Sequence, residues 1–319
     1  MSPFGIGAAG NHVRDLQSRL QKLSHDPGEI DGIFGGKTET SLRSFQKRRA
    51  IDTDGICGPE SWSAIVEAGY HLGGRLLYLH EPPLRGDDVA QVQQLLSTLG
   101  FKSGHVDGIH TSKTADAITD FQLNAGLTAD GVCGSITLES LKRYGRNLKL
   151  GELASLQERD RFYSLGTQLN GKKIVLSETG GLDATIASLR RSLGELGANV
   201  LTIHHPDASA QAIQANTYGA DLFIALEIRS DHSSVCHFQG EHYLSPVGSL
   251  LAEKLVIELS QYFPDIENKG MALRILRETQ MPTILCRFDS AKTLVRNNQS
   301  IASSICTAIS NALGKGFTS

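Results

Sequence analysis

The octapeptide Gly32–Glu39, GIFGGKTE, carries residue types that could cradle a phosphate. A phosphate loop reads G-x-x-x-x-G-K-[ST], and its glycines let backbone N–H groups wrap the anion. Counting back from Gly36-Lys37-Thr38 puts the first glycine at position 31, which is Asp31; Gly32 comes one residue late. A phosphate loop also follows a buried apolar strand, whereas the preceding LSHDPGEI reads as a turn. Nucleotide binding is therefore not expected. A second group, His204-His205, His232, Cys236, His237 and His242, holds metal-ligand types. His237 and His242 lie five apart, on opposite faces of an ideal strand, which is poor for joint ligation. These read as surface or packing histidines. There is no G-x-S-x-G elbow, and none of the five cysteines sits in a nucleophile signature.

The glycines have another explanation. An offset of 76 residues carries VRDLQSRLQKL at Val13 onto VAQVQQLLSTLG at Val89. The same offset carries Asp31-Gly32-Ile33 onto Asp107-Gly108-Ile109, Thr38 onto Thr114, and Phe45-Gln46 onto Phe121-Gln122. It carries Asp54-Gly55-Ile56-Cys57-Gly58 onto Asp130-Gly131-Val132-Cys133-Gly134. The second copy reads GIHTSKTA, with neither glycine of the supposed loop. What the copies share is structural. Val13, Leu16, Leu20 and Leu23 fall at helical spacing. Asp-Gly makes a turn, because glycine tolerates positive φ. Thr38 is placed to cap a second helix with Leu42 and Phe45 on one side. Another Asp-Gly turn precedes Pro59 and a third helix carrying Trp62 and Ile65. Three short helices make a bundle of about sixty residues, near the lower limit for an independent core.

This pattern resembles the three-helix, type 1 peptidoglycan-binding module. The matching stretches are Val13–Gln17, Asp31–Gly35, Phe45–Gln46 and Asp54–Trp62, with their counterparts in the second copy. The resemblance implies binding of peptidoglycan or muropeptide fragments, although the motif residues themselves mostly hold the fold.

The 319 residues suffice for two or three domains, and a net charge of −3 gives no electrostatic case for nucleic acid or anionic membrane. Five cysteines without a C-x-x-C suit a reducing compartment better than a disulfide framework. Cys57 and Cys133 hold equivalent places and read as small buried residues. The N-terminal MSPFGIGAAGNHVRDLQ has no basic start and no long apolar run, so it does not read as a secretory signal. No apolar stretch approaches twenty residues, so no membrane span is expected. The expected location is cytoplasmic.

The pattern changes after a mixed connector. KKIVL, ANVLTI, DLFIALE, SVCHFQGEHY, LRILRE and TILCRF read as strands. Residues 183–197, 208–218, 246–262 and 300–313 read as helices. Alternation of this kind predicts an open α/β sheet. The fold class is thus two small all-α three-helix modules, residues 8–70 and 84–146, a linker at 147–171, and an open-sheet α/β domain at 172–314.

The third segment resembles the type 3, zinc-dependent N-acetylmuramoyl-L-alanine amidase. ANTYGADLFIALE, residues 215–227, looks like the family's A-N-x-x-x-A-D-L-F-I-S-I-H, and LRETQMPTILCRF, residues 276–288, like its L-R-x-T-x-M-P-A-V-L-V-E-x-G. The resemblance implies two His and one Glu on zinc, a metal-activated water, and a further Glu as general base. Those residues are absent here. Thr179 stands where the first His is expected, in SETGG; the loop for the Glu ligand is missing, and Glu178 lies near its place. Glu227 replaces the second His and Arg287 the general base. An Arg cannot be deprotonated in proteins, and its charge repels Zn²⁺. Arg287 is expected to pair with Glu227. No cofactor is expected, and zinc only if the domain is active.

Wall-binding modules joined to an amidase-like domain without its ligands resemble one group, the cytoplasmic amidase-like regulators of peptidoglycan precursor synthesis. Glu67–Phe101 and HFQGEH at 237–242 are further similar stretches. The resemblance implies a non-catalytic protein that stimulates the enolpyruvyl transferase opening precursor synthesis. It also implies contacts with a forkhead-associated protein and the lipid II flippase, switched by phosphorylation near the C-terminus. Thr318, in the short tail GKGFTS, is the candidate phosphosite; the group's longer tail is missing. The alternatives are an active zinc amidase with an altered ligand set, and a passive muropeptide sensor.

Overall fold

The structure, a computed structural model, describes residues 2–145, 158–160, 162–164, 166–229, 232–240 and 243–314. Thr318 and His242 lie outside the described residues. The chain forms two compact units that meet in sequence near residue 155.

Among its described residues the first unit holds six helices, α1 (Asn11–Lys22), α2 (Gly36–Arg48), α3 (Pro59–Ala68), α4 (Asp87–Thr98), α5 (Ser112–Asn124) and α6 (Ser135–Gly145). They fall into two sets of three, as the repeat requires. Val13, Leu16 and Leu20 of α1, Leu42 and Phe45 of α2, and Ile65 of α3 are buried together with almost no exposure. Val89, Val92, Leu96, Ile118, Phe121, Leu138 and Leu141 make the second core. In each set the entering chain is pinned by two antiparallel bridges, Phe4–Cys57 and Ala9–Ile33, then Leu77–Cys133 and Arg85–Ile109. The Asp-Gly turns demand glycine for two reasons. Gly32 and Gly108 have φ of 80° and 75°. A Cβ would meet the carbonyl oxygen of Gly10 at 3.1 Å or of Gly86 at 2.9 Å. Thr38 does not cap α2. The N-cap is Gly35, and Thr38 is buried one turn inside.

The second unit contains β1 (Lys173–Glu178), α7 (Asp183–Glu195), β2 (Asn199–His204), α8 (Ala208–Tyr218), β3 (Leu222–Ile228), β4 (Ser234–Phe238), α9 (Pro246–Leu259), β5 (Glu267–Met271), α10 (Arg274–Arg277), β6 (Thr283–Phe288), α11 (Ala291–Arg296) and α12 (Asn298–Gly314). The sheet order is β2-β1-β3-β6-β4-β5. Strands β2, β1, β3 and β6 run parallel, and β4 is antiparallel to β6. The open α/β sheet expected from the sequence is present. Two details differ. LRILRE is not a strand: residues 274–277 form the short helix α10, and the edge strand is ENKGM just before it. ENKGM is polar and half-exposed, so no apolar run announces it. The connector also belongs partly to this unit, because Phe162 and Leu169 are buried in its core.

That core lies on one face of the sheet. Ile174 and Leu176, Leu222, Ile224 and Leu226, and Ile284, Cys286 and Phe288 meet the apolar sides of α7, α9 and α12. Alternation along each strand sends Phe223, Ala225 and Glu227 to the other face. The helices are well stopped and started. Asp207 accepts the Ala210 N–H at the head of α8, and Ser245 accepts the Gly248 N–H ahead of Pro246 in α9. Gly219 ends α8 with left-handed backbone.

Candidate functional site

In the helical modules the recurrent motif residues build one clasp, four times over. Gln17, Gln46, Gln93 and Gln122 are each at most 1% exposed. The amide nitrogen of each donates to an Asp carboxylate (Asp31, Asp54, Asp107, Asp130) and to a carbonyl two residues on. It donates also to a hydroxyl on the following helix, of Thr38, Ser61, Thr114 or Thr137. The twelve distances span 2.8–3.3 Å. The amide oxygen accepts the N–H of Gly32, Gly55, Gly108 or Gly131 at 2.8–2.9 Å. Each Asp also accepts the N–H two residues on, closing an Asx turn. The Gln17 amide and the Ile33 N–H hold the Asp31 carboxyl below its ordinary value, and the Val132 N–H and Gln122 do the same for Asp130. Phe45 and Phe121 are core residues. The motif's Asp, Gly, Gln and Phe are thus spent on folding each module. This is why both copies keep them while GGK becomes TSK.

In the second unit, ligands to an open α/β sheet bind beyond the carboxyl ends of its parallel strands. Glu178 ends β1, His204 ends β2, Glu227 lies near the end of β3 and Arg287 near the end of β6. Glu227 and Arg287 are register partners on adjacent strands. Arg287 Nε donates to Glu227 Oε2 at 2.9 Å, and its Nη1 lies 3.6 Å from Met271 Sδ. Arg229 Nη1 stands 4.0 Å from the other Glu227 oxygen. The expected ion pair is formed, with Arg287 8% exposed.

Glu178 points elsewhere. It shares its face with Ile174 and Leu176, away from Glu227. Its Oε2 accepts the N–H groups of Gly180 and Leu182, and its Oε1 lies 2.9 Å from His204 Nδ1. Burial pushes the Glu178 carboxyl up, but His204 and the two N–H groups outweigh it, and the group sits below its ordinary value. The carboxylate fills the nest that SETGG makes ahead of α7. Two pieces of the amidase-like pattern also meet. Asn216 donates from Nδ2 to the Glu278 carbonyl and accepts from the Gln280 N–H, both at 2.8 Å. The A-N motif therefore anchors the loop of the R-E-T-Q-M-P motif.

The pattern described as "Putative peptidoglycan binding domain" matches residues 9–65 and 85–141. N-acetylmuramoyl-L-alanine amidase CwlM of Mycobacterium tuberculosis is 30% identical, over 87% of this chain and 78% of its own length. This chain belongs to that amidase family. A second member, N-acetylmuramoyl-L-alanine amidase CwlL of Bacillus licheniformis, is 33% identical over 43% of this chain and 44% of its own. Among solved structures, the catalytic domain of CwlV, an N-acetylmuramoyl-L-alanine amidase from Bacillus (Paenibacillus) polymyxa, matches with a TM-score of 0.35 and 12% identity. That match covers 44% of this chain and 98% of the other.

The zinc that the amidase family implies does not fit Glu227 and Arg287. The carboxylate is already bonded to a permanent cation, and a second cation there would face that charge directly. Glu178 does not join them, since it lies on the opposite face, and Thr179 is exposed beside it. Among the described residues one trio could hold a metal. The donor atoms of Glu178, Asp183 and His204 lie within 4.8 Å of one another. Asp183 is 83% exposed. Asp183 and His204 of this trio line a groove of about 440 Å³ together with Thr202, Arg190 and Arg191. In the sequence His204 is of metal-ligand type but reads as a surface or packing residue, and Asp183 is not singled out; only the β1–β2 register, Glu178 opposite His204, brings the group together. His237 is buried in β4, with Asn268 of β5 beside its ring, a packing position.

Proposed function

We propose that this member of the amidase family is non-catalytic and acts by contact, binding peptidoglycan fragments through its helical modules and regulating precursor synthesis through protein partners. The observation that supports it is the Arg287–Glu227 pair, which fills the place of the family's base and second ligand with a closed, neutral bond. The resemblance noted above suggests the partners: the enolpyruvyl transferase, a forkhead-associated protein and the lipid II flippase, met in the cytoplasm. Among the described residues no helix is long and apolar enough to cross a membrane.

The second reading is an active amidase whose metal has moved one strand over, to Glu178, Asp183 and His204. One experiment separates the two. Purified muropeptides are incubated with the full chain and zinc, beside an active amidase. Absence of free stem peptide, while the control cleaves, is the expected result. Release of stem peptide that is lost in His204→Ala would establish the second reading and end the first. Muropeptide binding without any effect on the transferase would leave a passive sensor.

A further inference from the structure

The two modules are not identical inside. The repeat offset places His110 on Phe34. Both are sealed in, Phe34 at 1% and His110 at 0% exposure. Their backbones make the same bond, Phe34 N–H to Ala8 and His110 N–H to Leu84, at 2.8 and 2.9 Å. Phe34 packs its ring edge-on to Phe4 at 6.1 Å. His110 keeps the slot but brings two ring nitrogens, and among the described residues neither finds a hydrogen-bond partner outside its own backbone. A buried polar group without a partner is costly, and a buried unpaired charge more so.

The charged groups that bear on the ring are Arg75 and Asp88. Asp88 is 0% exposed, and Arg75 holds both its oxygens, Nε to Oδ2 at 2.7 Å and Nη2 to Oδ1 at 3.1 Å. Oδ1 also takes the Val89 N–H. Arg75 is itself fixed, 3.6 Å over the Tyr70 ring and bonded to the Arg85 carbonyl. The Asp88 carboxylate is therefore committed. An imidazolium at 110 can only leave its slot or take Asp88 from Arg75. Either change frees the segment that enters the module.

We propose that His110 makes the second module acid-labile: protonation of its ring opens that module. Burial, aided by Arg75, holds the folded imidazole below its ordinary value against the opposing pull of its own backbone and of Asp88. The unfolded chain then binds the extra proton, so stability is complete above about pH 7 and falls as pH drops through about 6.5 toward the folded value. For one proton the opening constant rises by at most about ten-fold between pH 7.5 and 5.5. The first module carries its own imidazole, His25, at the place of Phe101 and 9% exposed. The comparison must therefore be between variants rather than between modules.

The test is hydrogen exchange on the full chain at pH 7.5 and 5.5, corrected for intrinsic rates, following peptides from α4, α5 and α6. The wild type is expected to lose up to about ten-fold in protection there at pH 5.5. His110→Phe, which installs the residue of the first module, is expected to abolish that loss and leave the α1–α3 peptides unchanged. Equal protection of wild-type α4–α6 at both pH values overturns the proposal, as does an undiminished loss in His110→Phe. Should the variant not fold, NMR titration of the wild-type His110 ring decides. A midpoint near 6.5 in the folded protein overturns it, and a midpoint well below supports it.

Discussion

Replacing Gln46 by Met removes one clasp while nearly conserving volume. Gln46 is fully buried and makes four bonds: to Asp54 at 2.8 Å, the Ile56 carbonyl at 3.0 Å, Ser61 at 2.9 Å, and from the Gly55 N–H at 2.9 Å. The Asp54 carboxylate is exposed and recovers water. The Gly55 N–H is buried and does not, which costs about 1–3 kcal/mol. The bonds to Ile56 and Ser61 add about 1 kcal/mol each. The expected loss is about 3–5 kcal/mol, against a total of roughly 3–9 kcal/mol for a bundle of about sixty residues. The chain has a single tryptophan, Trp62, on α3 of the same module, so its emission during urea titration reports this module alone. The midpoint should fall far below wild type, or the module should be open in buffer. Gln21→Met, on the exposed side of α1, is the control and should stay within about 0.5 kcal/mol. A Gln46→Met loss below about 1 kcal/mol would refute the claim that the motif exists to hold the turns.

Arg287→Ala strands Glu227 near the carboxyl end of the interior strand β3. Because Glu227 is partly solvated and Arg229 is near, the loss should be about 1–3 kcal/mol by urea unfolding, and Glu227→Gln added to it should return part. Glu178 has a lowered folded pKa, so its contribution is present above about pH 4.5 and is lost as pH falls through the folded value. Glu178→Gln should therefore flatten the fall in Tm between about pH 5 and 3, and an unchanged slope would contradict the nest assignment. Burial pushes the Cys57 and Cys133 thiols up to about 12, so iodoacetamide at pH 8 should label neither in the native chain and both in urea.

Much of this was legible in the chain. The 76-residue offset, helical spacing and Asp-Gly turns specified two small bundles, and alternating apolar runs specified the sheet. These are local signals, and local physics produces them. The pairing of Glu227 with Arg287 is also expected from sequence, through the resemblance of the flanking motifs to the amidase pattern, and the β3–β6 register forms it. Three features needed the tertiary structure. The glutamines ending Val13–Gln17 and Phe45–Gln46 read in sequence as motif residues that hold the fold, without showing how; only burial beneath a turn nine to fifteen residues away gives each of them four partners. ENKGM became a strand through pairing with β4, since its own residues carry no β pattern. And Glu178, one residue before Thr179 in the chain, was set apart from Glu227 by the pleat. Successive side chains leave opposite faces of a strand, so chain neighbours at a site can serve two different surfaces. Only the register of β1 with β2 and of β3 with β6 shows which surface each one serves.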